Sequence, residues 1–312
     1  MEFLKNPSFD FLSKTRYFVG ASLLLILSGM LWMARPGGIR YGVEFAGGTQ
    51  LVVKFEKPPQ IDRIRSAVER DAPGAVIQTY DEPSKNQVLI RIAGGGEGEL
   101  GAQAEKALRS LASLYSENPV KEQSSEIVGP VVGAELRQKA IQLTVLGLLF
   151  QLIYIGIRFG GAVWGSAATI AAFHDVLITL GFLAFFSFEI TLNVIAALLT
   201  LVGYSVNDTI VIFDRARENL RQRRKEPLAK IINDSVNQTL TRTLISNGTT
   251  FLAVLGLFLF GGEVLRGFGF TMVIGIVVGT YSTIYIASPI VVWWQERGGK
   301  GVGTSTTTRA AL

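Results

Sequence analysis

Among 312 residues there is no cysteine, a single histidine (His174), and a charged fraction of only 18%. The missing cysteines exclude disulfide frameworks, thiolate nucleophiles and cysteine metal sites together, while leaving the redox compartment open. One histidine makes histidine-rich metal chemistry unexpected. There is also no nucleotide-binding glycine loop, metal-ligand set or nucleophile–base arrangement, so neither an enzyme nor a cofactor or metal is expected. What the chain has in quantity is apolar surface. It is 48% hydrophobic with a mean hydropathy of +0.35, too apolar for a soluble protein of this size. Between Arg35 and Lys139, 14 basic residues face 14 acidic ones, so the net charge of +5 is carried entirely outside that region, around apolar segments. Positive charge so placed follows the positive-inside rule, and a nucleic-acid partner is not needed to explain it.

Six stretches approach the roughly 20 apolar residues that a bilayer core requires. They are Tyr17–Ala34, Ala140–Ile157, Ala162–Phe185, Ile190–Phe213, Thr243–Phe260 and Phe268–Trp293. The first follows Lys5, Lys14 and Arg16 but precedes no small-x-small cleavage site, and is expected to be an uncleaved anchor. Lys5, Lys14, Arg16, Arg158, the run RARENLRQRRK from Arg215 to Lys225, and Arg297 with Lys300 fall on one side of such a bundle. That side is expected to be cytoplasmic, with both termini on it, and the insert between the first two spans extracytoplasmic.

The expected organisation is therefore a cytoplasmic N-terminus and first span (1–34), an external domain (35–139), a five-helix membrane bundle (140–296) and a disordered cytoplasmic tail (297–312). In the insert LVVKFEK reads as a strand and PPQIDRIRSAVERD as a proline-started helix. AVIQTYD and NQVLIRI read as a hairpin pair. After the flexible GGGEGELG come a helix to about Tyr115 and a strand near Val120–Val128. The order β-α-β-β-α-β suggests a ferredoxin-like split βαβ domain. In the basic loop 214–242, Leu228, Ile231, Ile232, Val236 and Leu240 recur near helical spacing, which fits an amphipathic helix lying on the cytoplasmic membrane surface.

An ionisable side chain within a membrane helix costs about 2.5–3.5 kcal/mol on insertion scales, so each one invites a functional explanation. Three positions stand out: Asp175 beside His174, Asp208, and Arg242. Asp175 shares a helical face with Ala168, Ala172 and Thr179, small residues that permit close packing, and is expected to face the bundle. His174, about 100° around that helix, is either a packing residue or a participant in proton handling. Asp208 has Tyr204 and Ser205 one turn back; Arg242 is followed on its face by Ser246, Thr249 and Thr250. Both charges fall in the cytoplasmic half, at similar depth, where they could pair across the bundle. A structural salt bridge, or an arginine that merely snorkels to the interface, would use the same residues. The paired glycines Gly47 and Gly48 mark a hinge or a tight turn.

Six strings agree in order and spacing with one family. GYSVNDTIVIFDRARENL (203–220) resembles the signature of SecF proteins. It is joined by GVEFAGGT after the first span, VGPVVGAELRQKA before the second, AAFHDVLITLG in the third, TRTLISNGTT opening the fifth and LFGGEVLRGF after it. The resemblance covers all but the tail. It implies half of a resistance–nodulation–division-like bundle, paired with a SecD-like subunit and associated with the SecYEG channel. Such a chain uses the proton-motive force to help exported preproteins across the bacterial inner membrane. The Asp of the family's NDT motif matches Asp208 and the Arg of its RTL motif matches Arg242, which implies a proton pathway through both, with Asp175 as a further candidate. Glu44 stands where the family usually has aspartate. Other readings are a small-molecule exporter half, a passive assembly scaffold, and an intramembrane aspartyl protease using Asp175 and Asp208. The protease reading suffers from SVND, which lacks the glycine that such enzymes place before the aspartate.

Overall fold

The computed structural model describes residues 7–80, 83–93, 97–159, 161–223 and 225–297. Helix α1 (Thr15–Met33) is followed by a short strand β1 (Arg40–Tyr41) and one helical turn α2 (Val43–Ala46). Strands and helices β2 (Gly48–Phe55), α3 (Ile61–Val68), β3 (Val76–Tyr80), β4 (Gln87–Ala93), α4 (Glu97–Leu114) and β5 (Val120–Val128) then form the sheet domain. Alternation builds its core: Leu51, Val53 and Phe55 of β2 and Val88, Ile90 and Ile92 of β4 point to one face. There they meet Ile64 and Val68 of α3 and Ala107 and Leu111 of α4. The sheet order is β3-β4-β2-β5, with every neighbouring pair antiparallel. Strands β2 and β3 are thus parallel with β4 between them, which is the expected split βαβ arrangement. The two ends of GGGEGELG differ: 94–96 lie outside the described residues, and α4 already begins at Glu97.

The remaining elements are α5 (Pro130–Phe159), α6 (Ala162–Phe185), a short strand β6 (Glu189–Ile190), α7 (Leu192–Gln222), α8 (Leu228–Phe260), α9 (Gly262–Ser282) and α10 (Ser288–Glu296). Among the described residues six helices are long and apolar enough to cross a membrane, with α9 and α10 counted as one span. The chain is a multi-pass membrane protein. Helices α6, α7 and α9 form the inner row, while α1, α5 and α8 leave most of their apolar side chains facing outward. Small residues make the close approaches: Ala167, Ala168, Ala171 and Ala172 line the buried face of α6. On its other side, a Cβ on Gly29 of α1 would stand 2.8 Å from the Cα of Gly181.

Three expectations need correction. Helix α5 starts ten residues before the expected span, at Pro130, whose fixed φ and missing N–H suit a first helical position, so the boundary at 139/140 falls inside one unbroken helix. The amphipathic segment after Pro227 does not lie on the membrane as a separate helix. It forms the first turns of α8, and its apolar residues Ile231, Ile232 and Val236 are buried within the protein. Asn233 and Asn237, one turn apart, grip the backbone of the N-terminal segment: Asn237 Oδ1 accepts from Phe9 N and Asn233 Oδ1 from Phe11 N, both at 2.9 Å. The last span is not one regular helix. A π-helical turn, Thr283–Ala287, separates α9 from α10, because Pro289 has no N–H and its ring would clash with the carbonyl four residues back. Ser288 Oγ donates to the Thr283 carbonyl at 2.9 Å. The tail, apart from Arg297, lies outside the described residues.

Candidate functional site

Two carboxylates occupy the inner row. Asp175, on α6, is completely buried. Its Oδ2 accepts from Ser205 Oγ of α7 at 2.5 Å and from Ser282 Oγ of α9 at 2.9 Å, and its Oδ1 lies 2.9 Å from His174 Nδ1. The other ring nitrogen of His174 lies 3.5 Å from the Tyr281 hydroxyl, which is 3.1 Å from Ser22 Oγ on α1. Thr179 Oγ1 donates to the Asp175 carbonyl. Four helices therefore converge on one buried carboxyl through hydroxyls and an imidazole. Gly279 makes the approach feasible: a Cβ there would come within 3.2 Å of Ser205 Oγ and 3.5 Å of Asp175 Oδ2.

Asp208 lies three residues after Ser205 on α7 and is 5% exposed. Its Oδ2 accepts from Asn247 Nδ2 of α8. Asn247 is a hub. Its amide also donates to Thr280 Oγ1 of α9 at 2.7 Å, and its Oδ1 accepts from the Tyr204 hydroxyl at 2.9 Å. Farther along α7, Thr209 Oγ1 lies 3.1 Å from Thr283 Oγ1, where the π turn begins.

Arg242 is close enough to act electrostatically on Asp208, but no ion pair joins them among the described residues. Its side chain is exposed, as are Ser246 and Thr249 on the same face of α8. Rotation explains this. Arg242 and Asn247 are five residues apart, about 140° around the helix, so when Asn247 faces Asp208 the guanidinium turns away. Gly47 and Gly48 form the joint between α2 and β2. Their φ values are +76° and +151°; Gly47 ends α2, and Gly48 pairs in the ladder with Ala93 and Val128. The start of α5 closes on it, since a Cβ on Gly133 would sit 3.0 Å from Gly47 N. Asp175 and Asp208 hold separate donors, Ser205 and Ser282 for the first and Asn247 for the second.

Asn247, Ser282 and Thr280 were not foreseen from sequence. The available signal was the density of hydroxyls in TYSTIYIAS (Thr280–Ser288) ahead of Pro289, and a carboxamide in an otherwise small-residue run. No group of histidine or acidic residues with metal-holding geometry occurs among the described residues.

Comparison with known proteins places this arrangement. Residues 109–297 match the family described as "Protein export membrane protein SecD/SecF, C-terminal", and residues 37–59 match the "SecD/SecF GG Motif". The chain is similar to the protein translocase subunit SecF of Calditerrivibrio nitroreducens, at 41% identity over 93% of this chain and 96% of that protein. It is likewise similar to SecF of Escherichia coli O157:H7, at 39% identity over 90% of this chain and 86% of that one. Among solved structures it resembles SecDF of Thermus thermophilus, a translocon-associated membrane protein, with a TM-score of 0.79 and 36% identity. That match covers 94% of this chain but 39% of the longer SecDF chain. A SecDF structure in a super-membrane-facing form matches with a TM-score of 0.71 at 37% identity, covering 95% of this chain and 40% of that one. With the paired glycines inside the shorter match and the last five spans inside the longer one, the chain belongs to the SecD/SecF family of protein export membrane proteins, as a protein translocase subunit of the SecF type.

Proposed function

We propose that this subunit sits in the bacterial inner membrane with a SecD-like subunit and the SecYEG channel, and that it uses the proton-motive force to promote export of preproteins. Its sheet domain is on the outer side and both termini are cytoplasmic. The basic residues Arg158, Arg215, Arg217, Arg221 and Arg223, gathered at the end of the bundle away from the sheet domain, support that orientation. It acts by coupled movement and not as an enzyme.

The observation that carries the proposal is the setting of Asp208: a nearly buried carboxyl bonded to a neutral amide, with Arg242 near but turned away. Desolvation and a nearby guanidinium pull a carboxyl's proton affinity in opposite directions, so a rotation of α8 that trades Asn247 for Arg242 would release a proton. One elementary charge crossing the membrane delivers about 2.3 kcal/mol per 100 mV, enough to bias such a rotation. Asp175, held by donors from three side chains, is the positioning residue of this scheme and keeps α6, α7 and α9 in register.

The test is Asp208→Asn, reconstituted with its SecD-type partner and channel in proteoliposomes. The amide keeps the shape and removes the titration, so proton-driven export should fall to the level without an imposed gradient while assembly is normal. Full export by this variant would make Asp208 structural and leave the scaffold reading standing. A small-molecule exporter would instead show drug efflux dependent on Asp208.

A further inference from the structure

Helices α1 and α5 both pack on α6 and leave a gap between them on the side of the sheet domain. The gap is a cavity of about 290 Å³. Its walls are Met33 of α1 and Val145 and Leu148 of α5, and its floor is Val176 and Leu180 of α6 with Leu198 of α7. The lining is almost wholly apolar. Thr144, a hydroxyl in the wall, is used internally: its Oγ1 donates to the Ala140 carbonyl at 2.8 Å. From Arg137, at the mouth, to Leu148, deep in the wall, α5 descends eleven residues, or about 16 Å.

The mouth has the opposite character. Arg40, from β1, and Arg137, from the second turn of α5, both line it and are both exposed, and Arg137 lies 5.4 Å over the ring of Tyr41. Two of the acidic residues nearby in the chain are committed elsewhere, and a third, Glu44, sets its carboxylate beside Gly42. Glu189, whose backbone pairs with Arg40, gives its carboxylate to Arg91, and Glu135 pairs with Lys139 at 2.7 Å. Among the described residues neither Arg40 nor Arg137 makes an ion pair. Two uncompensated guanidinium groups above an apolar slot that opens toward the membrane are complementary to one chemical class, an anionic amphiphile with a phosphate head and an acyl tail.

We propose that the cleft between α1 and α5 is a binding site for one anionic phospholipid of the outer leaflet, its phosphate held by Arg40 and Arg137 and one acyl chain laid along Val145 and Leu148. The site goes beyond the proton-coupling reading, and rests on the proposed topology only for its assignment to the outer leaflet. A lipid there would complete the packing between α1 and α5, which the protein itself leaves open beside the joint where α5 enters the sheet domain. Guanidinium–phosphate pairing in this setting is bidentate and charge-assisted, which an ammonium or a neutral donor would not reproduce.

The experiment uses the full chain, purified in detergent, stripped of lipid and titrated with dioleoyl phosphatidylglycerol or dioleoyl phosphatidylcholine, with retained lipid counted by native mass spectrometry. Wild type should retain one phosphatidylglycerol in preference to phosphatidylcholine. Arg40→Ala with Arg137→Ala should weaken that retention roughly tenfold, the loss of charge-assisted hydrogen bonds to the head. Val145→Trp should block the tail while leaving folding intact, since Val145 is 60% exposed. Arg217→Ala, at the opposite end of the bundle, should change nothing. Inorganic phosphate at millimolar concentration should not compete, because it has no tail. The proposal is overturned if the double arginine variant or Val145→Trp retains phosphatidylglycerol as wild type does, or if phosphate alone displaces it.

Discussion

At Asn247 three helices meet through one side chain, which serves Asp208 of α7, Thr280 of α9 and Tyr204 of α7 from its place on α8. Asn247→Ala removes all of these and leaves the buried Asp208 carboxyl without its donor, a loss of about 1–3 kcal/mol, while Thr280 keeps the Ile276 carbonyl and Tyr204 the Ser246 carbonyl. The midpoint of thermal unfolding in detergent should fall accordingly, and export should fall with it. Asp175 allows a sharper separation. Asp175→Asn keeps an oxygen that can accept from Ser205 and Ser282, whereas Asp175→Leu strands the Ser205 hydroxyl in the core and leaves Ser282 only the Gly279 carbonyl and His174 only Tyr281. If Asp175 positions helices, the asparagine variant should export nearly as wild type and the leucine variant should be destabilised by on the order of 3 kcal/mol. Export lost in Asp175→Asn, with stability unchanged, would make Asp175 a second titrating station.

The elements hold together where side chains are smallest. Gly29 and Gly181 bring α1 and α6 into backbone contact, and Ser22, seven residues earlier on α1, uses the same face to reach Tyr281. Gly181→Leu cannot be absorbed by a rotamer change, because the clash is with Cα and not with a flexible tip. It should push α1 off the bundle at a cost of about 1–3 kcal/mol. The chain has no native cysteine, so Ser22→Cys with Tyr281→Cys, bridged by a short bifunctional thiol reagent that spans the missing phenol ring, provides a clean cross-linking readout, lost with Gly181→Leu. The same scale shows what a pattern can and cannot say. The recurrence Leu228, Ile231, Ile232, Val236, Leu240 was legible as an amphipathic face, but lipid and protein present the same apolar environment to it. Only the grip of Asn233 and Asn237 on Phe9 and Phe11 decides that the face is buried in protein. The π turn was likewise hidden, since Pro289 announces a disturbance but not whether the helix kinks, stops or widens.

For the molecule as a whole, the proposed topology has a direct check. An impermeant thiol reagent applied to intact cells should label Ser124→Cys on β5, while Arg221→Cys near the end of α7 should need permeabilised cells. The opposite pattern would invert the molecule in the membrane. The six spans and the split βαβ domain were readable because hydrophobic length and alternation are properties of the chain alone. Asp208 was readable as a lone carboxylate in an apolar run. Its partner was not, because depth can be counted along a helix whereas rotation depends on neighbours. Matching depth suggested Arg242, and rotation delivered Asn247. Helix length carries one more consequence. At 31 and 33 residues, α7 and α8 measure about 46 and 50 Å, against about 30 Å of hydrocarbon. Their overhang carries Arg215, Arg217, Arg221, Arg223 and Lys230, which stay hydrated and so act as a float that fixes the depth of the protein. A bilayer made thinner cannot be met by sinking; the bundle has to tilt, and the sheet domain above it tilts with it.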